Sequence, residues 1–190
     1  MSNSESDELV AKIASHYAEI IRLIGEDVNR DGLKDTPLRA AKALLYMTRG
    51  YQQDIDSVIH NAMFDAPGGD MVVVRDIEFY SLCEHHILPF FGTVSVGYIP
   101  GKKIVGLSKV ARIVDMFARR LQVQERFADQ LCDVLFSKLG ARGVIVNCRA
   151  RHLCMQMRGV EKQSSSTVTI ASRGLFSESQ SLRKDFFSQL

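Results

Sequence analysis

The chain has 190 residues, of which 46% are hydrophobic and 24% charged, with four prolines and a formal net charge of +2. That length can bury a core as one domain, the composition excludes a largely disordered chain, and the small charge offers no general attraction to nucleic acid or membranes. No apolar run reaches the roughly 18 residues that span a bilayer, the polar, acidic start from Met1 to Glu8 is unlike a secretory leader, and neither end carries a lipidation pattern, so the chain reads as soluble and cytoplasmic.

Residues 5–49 read as helical, because Leu9, Ile13, Tyr17, Ile20 and Ile24 recur at helical spacing. A polar turn from Asn29 to Asp35 interrupts them. Thr36 then caps a second helix with Pro37 in its first position, and Gly50 is its expected stop. This sets residues 1–50 apart as an N-terminal helical region from residues 51–190, all within one compact unit. Val72, Val74, Ile77 and Phe79 belong to a β-rich run, and Thr93 to Ile99 to another. Pro100-Gly101 marks a turn before a short strand at Ile104–Leu107. Ser108 is placed to cap a helix running to about Arg120, and Gln124–Leu139 forms another that ends at Gly140. Strands near Val144–Met157 and Ser166–Ala171 and a short helix after Ser177 complete the chain. Helices, hairpin, two helices, hairpin, helix is an α+β order with antiparallel strands, not a doubly wound parallel sheet.

Chemistry concentrates at Cys83-Glu84-His85-His86, where C-x-x-H spacing lets one turn aim a thiolate and an imidazole at a common point. Sulfur with imidazole nitrogen suits Zn2+, but half a site binds little. Partners come from Asn147-Cys148-Arg149-Ala150-Arg151-His152-Leu153-Cys154: strand side chains alternate, so Cys148, His152 and Cys154 project from the same face. A reduced, signal-free chain keeps its four cysteines as thiols. Cys132, at helical spacing with Phe136 and Leu139, reads as core, as does Cys148. His16 and His60 lack supporting neighbours and read as surface or helix-end residues rather than ligands. From spacing alone Cys83, His86 and Cys154 stand between two readings, small buried groups or metal ligands. On the second, three protein ligands leave one zinc position for water, whose pKa falls to about 7. His85 and His152 then remain beside the metal to move protons.

Basic residues carry a second signal. Lys109 and Arg112 lie in the first turns after Ser108, where cations oppose the helix dipole unless an anion sits nearby; free N–H groups and two cations there suit a phosphate. Arg158 follows the His152/Cys154 segment. Arg39 and Lys42 on the second helix read, by pattern, as solvated charges. Gln124-Glu125 opens a helix, where the dipole alone accounts for an acidic residue; the alternative is a carboxylate reading the N–H edge of guanine.

Thr36-Pro37-Leu38-Arg39, Cys83-Glu84-His85-His86, Gly106-Leu107-Ser108-Lys109, Gln122-Val123-Gln124-Glu125-Arg126, His152-Leu153-Cys154 and Met157-Arg158-Gly159-Val160 together resemble the GTP cyclohydrolase I family, in family order over roughly residues 9–187. The resemblance implies Cys83, His86 and Cys154 as ligands of one zinc per subunit and His85 and His152 as the proton-handling pair. It implies Gln124 and Glu125 for guanine, and Ser108, Lys109, Arg112 and Arg158 for the triphosphate, with Arg39 and Lys42 reaching in from a neighbouring subunit. The implied reaction opens the GTP imidazole ring at C8, releases formate and rearranges to 7,8-dihydroneopterin triphosphate, the first step of tetrahydrofolate and pterin biosynthesis. The implied architecture is the tunnelling fold over residues 51–190: antiparallel strands with helices on the outer face, subunits closing a barrel, and a homodecamer of two pentameric rings. Ser95 stands where the family commonly has histidine, and Arg151 precedes His152 where other residue types are usual. A nucleobase deaminase would need H-x-E with P-C-x-x-C, and this chain has neither. A non-catalytic module whose structural zinc is closed by His85 or His152, and a tunnelling-fold enzyme acting on another pterin or a deazapurine, are the other readings.

Overall fold

The computed structural model describes residues 3–60, 62–66 and 68–190, which divide into two units, residues 1–49 and 50–190. In the first unit α1 (Asn3–Leu23) packs on α2 (Thr36–Met47). The cap of α2 is Asp35 and not Thr36, and Pro37 sits in the first turn where its missing N–H costs nothing. Gly50 is not the stop. The helix closes at Met47, with the Thr48 hydroxyl donating to the Leu44 carbonyl at 2.8 Å. A short 3-10 turn, Arg49–Gln52, follows, and glycine is needed at 50 because a Cβ there would stand 2.0 Å from the Met116 carbonyl oxygen. Ile20 and Leu23 of α1 and Ile24 just after it are exposed, more apolar surface than two helices cover.

The second unit is built on a sheet of β2 (Val72–Cys83), β3 (Pro89–Ile99), β5 (Leu121–Gln122), β6 (Gly143–His152) and β7 (Thr167–Gly174), in the order β5-β2-β3-β6-β7. β1 (Met63–Asp65) and β4 (Lys103–Val105) form a separate antiparallel pair, preceded by α3 (Ile55–Ile59); neither α3 nor β1 has a periodic signature long enough to read from sequence. The main sheet is antiparallel except at β5, which runs parallel to the end of β2 because the helix before it has already reversed the chain. Val72 and Val74 fall out of phase with Ile77 and Phe79, and the ladder shifts register between 74 and 77. This is a β-bulge, with Asp76 at φ 54° and its N–H donating to the buried Ser95 hydroxyl at 3.3 Å.

One face of the sheet is covered by α4 (Leu107–Ala118) and α5 (Gln124–Leu139). Phe79, Phe90, Val94, Val146 and Cys148 meet Val110, Ile113, Phe117, Phe127, Leu131 and Leu135 there. α4 is capped by Gly106, so Ser108 lies inside the first turn and not at its cap. α5 has the predicted bounds and ends on Gly140 in the left-handed conformation. Helices are not confined to that face. After α7 (Leu175–Glu178), α8 (Gln180–Phe187) lays Phe186 on the opposite side with Phe176, Ile99 and Ile145, against Gly97 of β3.

Gly92 of β3 lies against β6, where a Cβ would stand 1.9 Å from the Arg149 carbonyl oxygen and 2.8 Å from Ala150 Cα. Both obstacles are backbone, so neither can rotate away. Gly92→Ala is expected to cost about 3 kcal/mol, the upper part of the overpacking range, read as an earlier urea midpoint; an unchanged midpoint would mean the strands separate freely here.

Candidate active site

β2 ends at Cys83, and the chain turns at once. The Cys83 N–H donates to the Leu88 carbonyl at 2.8 Å, while His86 and Ile87 N–H groups donate back to the Cys83 carbonyl at 3.2 and 2.8 Å. The turn puts Ile87 at φ 55°, a conformation that β-branched residues rarely adopt. It brings Cys83 Sγ and His86 Nδ1 to 3.6 Å.

The third member arrives by a route the alternation argument did not give. β6 stops at His152, and Cys154 stands in the helical turn α6 (Leu153–Gln156). The inward face of β6 carries Cys148, Ala150 and His152, but Cys154 is not on it. Cys148 is fully buried in the core and does not join the cluster. The helical turn carries Cys154 back over the end of β2, so that Cys83, His86 and Cys154 present ligand atoms all within 4.8 Å of one another. Among the described residues no other group of three or more His, Cys, Asp or Glu does so, and neither His85 nor His152 joins it.

The donor set fits zinc. With Zn–S about 2.3 Å and Zn–N about 2.0–2.1 Å, a tetrahedron has an S···N edge of about 3.6 Å, the separation found between Cys83 and His86. Burial and the neighbouring Cys83 push the Cys154 thiol above its usual pKa, and the Arg158 guanidinium works against them. Two adjacent thiolates repel in the absence of a cation, so metal binding here is coupled to proton release.

His152 lies half-buried with its ring stacked on Phe90, centroids 4.8 Å apart and planes within 4°. Burial pushes its pKa below the usual imidazole value, with the Glu125 carboxylate opposing. Burial thus favours the neutral form of an imidazole held flat against Phe90. His85 is exposed, its Nε2 3.9 Å from Glu84 Oε1. Glu84 in turn pairs with Arg126, which holds its carboxyl below the usual range. Phe90, Glu84 and Arg126 are site-forming residues that sequence reasoning missed as such. Phe90 has no signature beyond a strand aromatic, whereas Glu84 and Arg126 sit inside the two motifs already singled out.

Gln124 and Glu125 divide. Gln124 is buried, its Nε2 donating towards the Cys148 carbonyl (3.0 Å), the Thr167 carbonyl and Thr169 Oγ1 (both 3.1 Å). That ties the start of α5 to β6 and β7, and leaves only Oε1, buried and without a partner. Glu125 is exposed on the same first turn, within electrostatic reach of His152. Ser108 and Arg112 are exposed and Lys109 half-buried in the first turns of α4. Arg112 lines a cleft of about 420 Å³ with Gln52, Gln53, Asp54, Ser57 and Asp115, which no member of the metal cluster lines. Arg158 is exposed beyond α6. On α2, Arg39 and Lys42 are exposed, and Arg39 donates to Asp35 at 3.2 Å.

The four thiols separate by environment. Cys132 and Cys148 are fully buried and desolvation pushes both pKa values to about 12, whereas Cys154 is partly exposed. In metal-free protein at pH 7.5, maleimide is expected to modify Cys154 first and Cys83 more slowly, and zinc is expected to protect both. Cys132 and Cys148 should react only after denaturation. Peptide mapping reads the order, and labelling of Cys148 before Cys154 would contradict it.

A family model described as GTP cyclohydrolase I matches residues 13–190. Among curated proteins the chain is 53% identical over 176 residues to GTP cyclohydrolase 1 2 of Pseudomonas aeruginosa, covering 93% of this chain and 97% of that one. It is 50% identical over 188 residues to GTP cyclohydrolase 1 of Porphyromonas gingivalis, covering 99% and 97%. It is also 54% identical over 170 residues to GTP cyclohydrolase 1 of Methylococcus capsulatus, covering 90% and 92%.

Proposed function

This chain belongs to the GTP cyclohydrolase I family, and from that premise we propose how its residues divide the work of opening the GTP imidazole ring. The reaction takes GTP and water to 7,8-dihydroneopterin triphosphate and formate. The observation that carries the assignment is the sulfur–nitrogen–sulfur cluster of Cys83, His86 and Cys154 beside the neutral, stacked His152.

Cys83, His86 and Cys154 would hold a zinc ion, which would supply an activated water at neutral pH as the nucleophile for C8. His152, neutral and oriented by Phe90, accepts and returns protons at the purine and ribose. His85, 3.9 Å from Glu84, serves as the second proton carrier. Glu125 accepts from the N–H edge of guanine, with Gln124 fixing the helix turn that presents it. Ser108, Lys109, Arg112 and Arg158 hold the triphosphate, which is not cleaved, so these contacts position the substrate and do not assist a leaving group.

Arg39 and Lys42 supply further triphosphate contacts from a neighbouring subunit. The strand β7 forms an open sheet edge with Val168 and Ile170 exposed, and the end of α1 exposes Ile20 and Leu23, with Ile24 just beyond it. Closing such edges between copies solves the edge-strand problem and supports a barrel of subunits in the tunnelling fold, assembled as a homodecamer of two pentameric rings. No helix among the described residues is long and apolar enough to cross a membrane, which agrees with a cytoplasmic enzyme.

Zinc-loaded protein incubated with GTP is expected to release formate and to give pteridine fluorescence after oxidation, both lost on chelation. Formate without fluorescence would mean that the ring opens but the rearrangement fails. Neither signal from folded, metal-loaded protein would overturn the assignment.

A further inference from the structure

Resting on the reading that Cys83, His86 and Cys154 hold zinc, we infer that Arg126 is a positioning residue for the metal loop, acting through Glu84 and the buried Gln122. The loop of residues 83–88 carries two of the three ligands and both histidines of the motif, yet its own turn places Ile87 in the left-handed region. A turn of that kind persists only where its surroundings over-determine it.

β5 runs beside the end of β2, pairing Leu121 with Leu82 and Gln122 with Cys83. The Glu84 N–H donates to the Gln122 carbonyl at 3.0 Å. Gln122 is itself 2% exposed, and its side chain is spoken for at both ends. Nε2 donates to the Phe117 carbonyl at 3.0 Å and to Gln130 Oε1 at 2.9 Å, and Oε1 accepts from Arg126 Nε at 3.2 Å. The same guanidinium reaches across to the Glu84 carboxylate and donates to the Leu121 carbonyl at 3.4 Å. One planar fork therefore joins the first residue after the Cys83 ligand, the strand beside it and the first turn of α5. α5 also carries Glu125. The bracket thus sets the ligand loop and the guanine-reading turn in one register.

A fork of this shape is a property of arginine. A lysine supplies the charge but cannot meet the Glu84 carboxylate and Gln122 Oε1 with a rigid pair of donors. Outer-shell partners of metal ligands typically govern 10–100-fold in metal affinity. The sign of the effect separates positioning from electrostatics. Arg126 is a cation near a cation site, so its removal by charge alone strengthens zinc binding; loss of a brace weakens it.

The test measures zinc affinity of the full-length protein by competition with a chromogenic chelator, and the ligand-field spectrum of the cobalt(II) form. Wild type that fails to bind zinc overturns the metal assignment itself, separately from this inference. Given binding, Arg126→Met is expected to weaken zinc at least tenfold and to alter the cobalt spectrum, while Cys132 and Cys148 stay unreactive to maleimide, which shows the core intact. Arg126→Lys, which keeps the charge and serves if Arg126→Met does not fold, is expected to lose severalfold in affinity. Affinity that is unchanged in Arg126→Lys, or unchanged or tighter in Arg126→Met, would overturn the positioning role.

Discussion

Replacing Cys83 by alanine is expected to weaken zinc binding by at least roughly 10²-fold and to abolish pteridine formation. Zinc held by four protein ligands is bound by about 10–16 kcal/mol, or about 3 kcal/mol per ligand, and a factor of ten is about 1.4 kcal/mol. No other thiol can substitute. Cys83 is the last residue of a strand paired on both sides, with Leu82 and Cys83 against β5 and Leu82 against Pro89 of β3. The two remaining thiols, Cys132 and Cys148, lie within the core. The fold should survive, since Cys83 contributes one small buried side chain among many. Cys148→Ala is the matched control: it removes a thiol from the same core and should leave zinc affinity within about twofold. Both are read by chelator competition. Wild-type zinc affinity in Cys83→Ala would exclude the cluster as the metal site.

How much of this site was legible before the fold is best seen in Cys154. The C-x-x-H spacing of Cys83 and His86 is a local property, since a turn of three residues closes on itself wherever it stands, and the structure has it. The third member depends on tertiary structure. Strand alternation placed Cys154 beside His152 on one extended face, but β6 ends at His152 and a helical turn follows. Residues 153–156 are too short a stretch to show helical period, so nothing in the local pattern could announce it. The core helices were legible for the opposite reason. α5 is long, its buried residues Phe127, Leu131, Leu135 and Leu139 recur at helical spacing, and Gly140 closes it. The two-residue β5 and the stack of Phe90 on His152 have no sequence signature at all, since both arise from pairings between distant strands. Gln124 shows the same limit from the other side. Its place in the motif pointed to substrate, while its amide nitrogen is bound to the sheet.

His152→Ala is expected to leave zinc affinity within about twofold while reducing turnover roughly 10²–10⁴-fold, the usual contribution of a positioned acid–base group, or about 3–5 kcal/mol of barrier. The geometry supports separating the two effects. His152 stands outside the three-membered cluster, and the backbone on either side of it is fixed independently: β6 pairs with Phe90 at that position and α6 begins at the next residue. Burial disfavours the charged form of its imidazole more than the Glu125 carboxylate favours it, so its pKa lies below the usual value. A neutral ring fixed against Phe90 by stacking can accept a proton without first losing one, which an exposed histidine near its ordinary pKa does only in part at pH 7. Truncation removes the ring and keeps the chain path. Zinc loss together with activity would instead make His152 a fourth ligand, turning an open catalytic site into a closed structural one. Full turnover with zinc retained would hand the proton transfers to His85 alone.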